Sequence, residues 1–166
     1  MVELVVREAD EADYGAIAAI YNEAIAQGGI TMDGFPVTEE KICAIARGMT
    51  KRESYLVAEL AGRVIGWGVI KRYSDRLGYQ FCCETSIYLT RSEVGKGYGK
   101  RLQKAIMEKV AQFGYRHIVA KILAANNNSV RFHEWFGFET VGVQKKIGFL
   151  NDRWLDVVIM QCLLPY

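Results

Sequence analysis

The feature of this sequence with the clearest chemical meaning is a glycine-rich stretch that joins an apolar strand pattern to an amphipathic helix. It reads GKGYG over residues 95–99, and the helical pattern after it ends near Gly114. Glycine tolerates positive φ and lets a ligand approach the backbone, while a helix start offers unpaired N–H groups and a partial positive charge. Four basic residues crowd this end: Lys96, Lys100, Arg101 and Lys104. Because their charge opposes the helix dipole unless an anion lies nearby, the pattern predicts a phosphate site; the alternative is a solvated helix start.

Two common nucleotide-binding loops do not match this stretch. A Walker A loop requires GxxxxGK followed by Ser or Thr, whereas Arg101 follows Lys100. A Rossmann loop requires GxGxxG and an acidic residue about 20 positions later. This loop is GxGxG, and the strand pattern that follows its helix, HIVAKIL, has no acid. The phosphate ligand is therefore not expected to be a nucleotide bound in either of these ways.

A single carboxylate, Glu84, interrupts the otherwise apolar or small stretch FCCETSIYL before the glycine loop. A carboxylate on a central strand is costly unless it is paired or functional, so Glu84 is a candidate for proton transfer. The structural alternative is an ion pair with Arg72 or Arg76. His133 follows Phe132 in a short helical pattern, where a histidine is more often a packing residue when taken alone. His117 opens a strand pattern and is interpreted as structural.

Composition limits the class of protein. The 166 residues, 51% of them hydrophobic, predict one domain over residues 1–166 with a packed core. A net charge of +2 gives no reason to expect nucleic-acid or membrane binding. The four cysteines have no metal or redox spacing and are interpreted as free thiols in a reducing compartment. With no signal peptide or membrane-spanning run, the sequence predicts a cytoplasmic protein, and its two histidines at no ligand spacing predict no metal.

Hydrophobic periodicity predicts a strand, two helices, three strands, a helix, a strand, a helix and two strands. This order indicates an α/β (α+β) domain with a mostly antiparallel sheet and one βαβ-like unit. The predicted strands are Val2–Val6, Ser54–Leu60, Arg63–Tyr73, Cys82–Leu89, His117–Leu123, Phe138–Val143 and Arg153–Leu163. Asp10 and Thr38 are the expected caps of the first two helices, and the last helix is expected over Val130–Phe136.

The glycine loop, the strand before it and the segment NNNSVRFHEWFGFETVG resemble the acetyl-CoA site of GNAT acetyltransferases. The stretches CCETSIYL and KKIGFLNDRWLDVVIMQ narrow the resemblance to the phosphinothricin and methionine-sulfoximine acetyltransferase group, and it extends over nearly the whole chain. It implies a GNAT fold: a twisted mixed sheet flanked by helices and splayed between the strands at Tyr88 and Val119. Acetyl-CoA would enter this splay.

The resemblance also implies the residues that hold acetyl-CoA. Backbone amides from Gly95 to Lys100 would hold the pyrophosphate, and Asn126 would contact the pantetheine arm. Main-chain groups of Ile87-Tyr88-Leu89 would pair with pantetheine. Val94 stands where the family often has Arg or Gln, so weaker but not absent CoA binding is expected. The implied cofactor-binding residues are Ile87, Tyr88, Leu89, Gly95, Lys96, Gly97, Tyr98, Gly99, Lys100 and Asn126.

Acetyl transfer to an amine requires a base for the ammonium, donors for the developing oxyanion, and optionally an acid for the thiolate. The resemblance implies that Glu84 is the catalytic glutamate, acting directly or through water. It implies proton transfer by His133, as base or thiolate acid, and a main-chain N–H near Ile87 is the expected oxyanion donor. Thr85 and Ser86, beside Glu84, are assigned to the acceptor site.

The resembled group holds an amino-acid carboxylate through an arginine on the loop before the catalytic strand, and the matching position here is Ser74. We therefore expect Arg76 to take over this role; otherwise Asp75 would contact a second positive charge on a polyamine. The resulting hypothesis is N-acetylation of a small amino-acid-like amine by direct attack in a ternary complex, in a homodimer. The alternatives are acetylation of a protein N-terminus, polyamine or aminoglycoside, and a non-catalytic acyl-CoA sensor.

Overall fold

The computed structural model describes residues 2–165, which form a seven-stranded sheet flanked by four α-helices. The strands are β1 (Leu4–Glu8), β2 (Ser54–Leu60), β3 (Arg63–Arg72), β4 (Cys82–Leu89), β5 (His117–Leu123), β6 (Glu139–Leu150) and β7 (Arg153–Leu163). The helices are α1 (Tyr14–Gln27), α2 (Glu39–Arg47), α3 (Tyr98–Gln112) and α4 (Asn127–Trp135). This is the predicted order of elements, and Thr38 caps α2 as expected. Asp10 instead caps a 3-10 turn over Glu11–Asp13 that leads into α1, whose own N-cap is Asp13.

The sheet is mixed and mostly antiparallel, as predicted. Its strand order is β1-β2-β3-β4-β5-β7-β6, and the parallel pair is β4–β5. This pair is short, because the register ends at Glu84 opposite Val119 although both strands continue. Beyond that point β4 and β5 separate, so the predicted splay is confirmed and leaves two unpaired strand edges facing each other.

Helices cover the two faces of the sheet unequally. On one face α1 and α2 pack against β2 and β3 through a cluster that includes Ile17, Ile42 and Trp67. On the other face α3 packs through Leu102 and Ile106 onto the central strands. The hydrophobic cluster formed by α1 and α2 does not extend over β5, β7 and β6 in the described part of the chain. The larger cavity opens over these three strands.

The predicted bounds of β1, α4 and β6 are wrong, each for a physical reason, and β3 ends at Arg72, one residue before the predicted end. Strand β1 begins at Leu4, because Leu4 is the first residue opposite β2 and Val2 lies beyond its end. Helix α4 begins at Asn127, since the Asn126 side chain accepts from Ser129 N and caps it. Strand β6 continues past Val143 to Leu150 as an exposed edge strand with two register shifts, so it lacks the alternation of a half-buried strand.

Candidate active site

Alternation along β4 separates its side chains into two sets. Glu84, Ser86 and Tyr88 face the side on which α1 packs, and all three line a large cavity there. Cys83 and Ile87 face the opposite side and join the core around α3. Thr85 lies on that side as well and is 4% exposed, so it is placed away from the acceptor cavity to which it was assigned.

Main-chain hydrogen bonds along β4 also alternate, and they identify which groups reach the splay. Tyr73 N donates to Cys82 O at 3.1 Å, and Thr90 N donates to Ile65 O at 2.8 Å. Because antiparallel pairs bond at every second residue, the even-numbered residues between them bond to β3. The N–H and C=O groups of Thr85, Ile87 and Leu89 therefore point to the opened edge, where an extended ligand can form hydrogen bonds with them.

The large cavity has a volume of about 980 Å³ and is bounded by β4, β5, β7, β6 and two loops. Most of its wall is apolar, including Ile30, Phe81 and Val119. The charged side chains in its wall are Glu84, Arg116 and Lys121, and His117 lies beside them. A small organic molecule with an apolar portion fits such a surface, and the polar side chains in the wall can orient it.

Glu84 forms an ion pair that sequence reasoning did not anticipate. Its Oε2 lies 2.9 Å from Lys121 Nζ, and the two side chains are 31% and 47% exposed. Neither expected partner is used: Arg72 binds Glu53 and Asp75 instead, and Arg76 lines a different cavity. Lys121 shares the signal that identified Glu84, since it is a charge within an apolar strand. In HIVAKIL it is the one charged side chain apart from the leading histidine.

A narrow cleft of about 60 Å³ lies between the separated strands. Its wall combines the β4 edge with α4, and includes Thr85, Ile87, Asn126 and His133. Four residues line both this cleft and the large cavity: Ile30, Ser86, Tyr88 and Lys121. The two spaces therefore meet beside Glu84, so a donor in the cleft and an acceptor in the cavity would come together at this point.

His133 lies in the wall of the cleft and is 3% exposed. Its Nδ1 lies 2.8 Å from the Ser129 carbonyl oxygen. A carbonyl oxygen only accepts hydrogen bonds, so Nδ1 carries the proton and Nε2 of the neutral ring is an acceptor. Burial lowers the pKa of His133, although the Ser129 contact opposes this shift. This geometry favours a neutral proton acceptor over a thiolate acid.

The glycine loop has the conformation that its sequence predicts. Gly95 and Gly97 have φ of 82° and 86°, and a Cβ added to either would meet no atom within 4 Å. Gly97 precedes α3 without a side-chain cap, so the first N–H groups of this helix remain available. Val94 before the loop and Lys96 within it are exposed, whereas Tyr98 packs against the core.

Like Arg101, Lys100 has no carboxylate partner in the described residues, and it lies beside the loop. Its Nζ lies 4.0 Å from the centre of the Trp135 ring. Lys96 pairs with Glu93 at 3.0 Å, and Lys104 pairs with Glu108 at 3.8 Å. Arg101 donates to the Leu4 carbonyl oxygen at 2.8 Å, which ties α3 to β1 rather than to a ligand.

The loop before β4 forms a second cavity. Ser74, Asp75 and Arg76 line it together with Arg52 and Tyr115, and none of these five lines the large cavity. Asp75 Oδ1 lies 2.5 Å from Arg72 Nε. The structure therefore does not bring the predicted carboxylate-binding residues together with Glu84.

Residues 2–165 contain neither a metal-binding cluster nor a membrane-spanning helix. In that part of the chain no three His, Cys, Asp or Glu side chains are grouped so that they could hold a metal ion. No helix there is both long enough and apolar enough to cross a membrane.

The family profile described as Acetyltransferase (GNAT) domain matches residues 6–159. The chain belongs to the GNAT acetyltransferases. It is 30% identical over 158 residues to the phosphinothricin N-acetyltransferase of Alcaligenes faecalis, which covers 94% of this chain and 80% of that protein. It is 29% identical over 162 residues to the L-methionine sulfoximine/L-methionine sulfone acetyltransferase of Salmonella typhimurium, covering 97% of this chain and 95% of the relative.

A solved structure of similar fold contains acetyl-CoA, the acetyl donor. The phosphinothricin acetyltransferase of Sinorhizobium meliloti, crystallised with acetyl-CoA, has a TM-score of 0.90 and 34% identity, covering 97% of this chain and 88% of the other. The predicted GNAT fold and acetyl-CoA use are thereby confirmed. This protein is an acetyl-CoA-dependent N-acetyltransferase. Its open glycine loop and uncapped helix start are compatible with a pyrophosphate group.

Proposed function

We propose that this acetyltransferase transfers acetyl to the amine of a small amino-acid-like substrate, of the methionine sulfoximine, methionine sulfone or phosphinothricin type. The observation that carries the proposal is the position of Glu84, beside the point where the narrow cleft and the large cavity meet. We infer that the acetyl end of the donor lies in the cleft while the acceptor lies in the cavity, which suits direct attack in a ternary complex. The activities named for the two curated relatives support the substrate type.

Acetyl-CoA, when bound, supplies an acetyl group activated as a thioester. In our proposal backbone N–H groups from Gly95 to Lys100 bind its pyrophosphate, and the main chain of Ile87 and Leu89 pairs with pantetheine. Asn126 lies at the cleft and uses its Oδ1 to cap α4, so its Nδ2 is the group left to contact the pantetheine arm. The exposed edge of β4 supports this arrangement, because an unpaired strand edge binds an extended chain through its backbone.

The role of each residue in the reaction is proposed from its position on the face or at the edge of β4, or in the cleft. Glu84 accepts a proton from the substrate ammonium, directly or through a water molecule, so that the neutral amine can attack the thioester carbonyl. The C–N bond forms, the C–S bond to CoA breaks, and the departing thiolate takes up the second proton that the amine nitrogen loses. The N–H of Ile87, at the opened edge, is the proposed donor to the developing oxyanion. His133 accepts a hydrogen bond or a proton through Nε2 within the cleft, and Ser86 lies where the donor and acceptor meet.

The proposal is tested by measuring thiol release from acetyl-CoA with a panel of amines. We expect methionine sulfone and methionine sulfoximine to react well, and phosphinothricin poorly. Simple alkyl amines, polyamines, aminoglycosides and peptide N-termini complete the panel. If one of these classes reacts better than every amino-acid analogue, the proposed substrate type is wrong, and it is equally wrong if no amine of the panel reacts while acetyl-CoA binds.

Replacing His133 by phenylalanine is expected to lower kcat by about 10²-fold or less. Phenylalanine suits a site between Phe132 and Phe138, but it removes Nε2. Because burial lowers the pKa of His133, its ring stays neutral below the ordinary imidazole range, and any acid limb that it causes lies below about pH 6.5. The kcat–pH profiles of both proteins test this: a limb above pH 7, or one that persists unchanged in the variant, contradicts it.

We also propose a homodimer and a cytoplasmic location. Apolar side chains exposed on and beside the edge strand β6 support an interface there: Val141, Val143, Ile147, Phe149 and Trp154. Four unpaired cysteines support a reducing compartment. Light scattering at micromolar concentration is expected to give twice the chain mass of 18.7 kDa, and a monomer would contradict the dimer.

A further inference from the structure

The ion pair between Glu84 and Lys121 has a consequence for substrate choice. Lys121 lies on β5 two residues beyond Val119, which is the partner of Glu84 in the register. Residues two apart share a face of a strand, so Lys121 reaches diagonally across the splay to Glu84 Oε2 at 2.9 Å. Both side chains keep some solvent exposure, so each charge can also contact a ligand.

A lysine at this position conflicts with the binding of a simple amine. In the proposed function Glu84 contacts the substrate ammonium, which would place a second positive charge close to Lys121 Nζ. Both side chains are partly buried in the cavity wall, so the repulsion is screened less than at a fully exposed surface. Amines without a negative group are therefore disfavoured at this site.

An α-amino acid removes the conflict. Its ammonium and carboxylate lie about 3 Å apart through covalent geometry, which is close to the 2.9 Å between Lys121 Nζ and Glu84 Oε2. The zwitterion can set its ammonium against Glu84 and its carboxylate against Lys121, so that every charge has an opposite neighbour. Arg76, the residue expected from sequence to hold the carboxylate, lines the other cavity.

We propose that Lys121 is the specificity-determining residue of this enzyme, and that it binds the anionic group next to the acceptor amine. The inference rests on the proposed function, because it takes Glu84 as the group that meets the ammonium. Arg116 lines the same cavity but donates to the Pro165 carbonyl oxygen at 2.7 Å. Lys71 lies opposite Glu84 on β3, outside the wall of the cavity.

The test compares kcat/KM for L-methionine sulfone with that for its decarboxylated amine, which lacks only the carboxylate. We expect Lys121→Met to lower the value for the amino acid about 10- to 100-fold, the range for a hydrogen bond to a charged group. The value for the decarboxylated amine should stay equal or rise. The loss should appear mainly in KM, and Lys121→Arg should restore much of the discrimination.

Two matched variants distinguish carboxylate binding by Lys121 from carboxylate binding by another nearby cation. Lys71→Met removes the lysine on the other side of Glu84, and Arg76→Met removes the arginine of the second cavity; both should keep the wild-type ratio of the two substrates. Lys121 would be excluded if Lys121→Met slowed both substrates equally, or if either control lost the discrimination instead. A wild-type enzyme that prefers the decarboxylated amine would overturn both this inference and the proposed substrate type.

Discussion

Glu84→Gln is expected to lower kcat about 10²- to 10⁴-fold, the usual effect of removing a general base. Glutamine keeps the shape of the side chain but cannot accept the proton of the substrate ammonium. Acetyl-CoA binding should be unchanged, because Glu84 lines the large cavity rather than the glycine loop. The measurements are steady-state kinetics on the best amine of the panel and thermal unfolding with and without acetyl-CoA.

Glu59→Gln is a matched control for this variant. Glu59 is also a strand carboxylate in an ion pair, 2.8 Å from Arg7 and with a side chain 29% exposed, compared with 31% for Glu84. It lies on β2, outside the wall of either site cavity. Turnover should survive in Glu59→Gln. If Glu84→Gln retains wild-type kcat, the base lies elsewhere and the proposed mechanism fails.

Gly97→Glu is expected to abolish acetyl-CoA binding without unfolding the protein. A ligand at 100 times its Kd adds about 2.7 kcal/mol to the free energy of unfolding, which raises Tm by about 5–10 °C for a domain of this size. That shift should be lost in the variant. The new side chain would occupy the open space above the loop, and its carboxylate would repel phosphate at the start of α3.

Gly62→Glu provides the control for backbone strain. Gly62 has φ of 75°, and a Cβ there meets no atom within 4 Å, so the two substitutions are strained alike. It lies in the turn between β2 and β3. This variant should keep the full shift with acetyl-CoA. The wild-type protein should respond to free CoA but not to NADH, and an equal response to both would contradict a CoA-specific loop.

Much of this protein could be predicted from local sequence patterns. The bounds of β2, β4, β5 and β7 agree with the observed strands, because alternating or continuous apolar runs between turn residues are local signals. The glycine loop was recognisable for the same reason, since positive φ at Gly95 and Gly97 is a local backbone requirement. Glu84 was recognisable because its charge conflicts with its apolar neighbours.

Contacts between distant segments were decided by the tertiary structure. The partner of Glu84 is Lys121 and not an arginine of the preceding loop, because the β4–β5 register sets which side chains share a face. The direction of loop 73–81 places Arg76 in another cavity, and no periodicity encodes that direction. The packing of α4 beside the opened edge of β4 places His133 in one cleft with Ile87. The sequence determines the type of each residue. Its neighbours across the sheet depend on strand register, loop path and burial, which are established only when the whole chain packs.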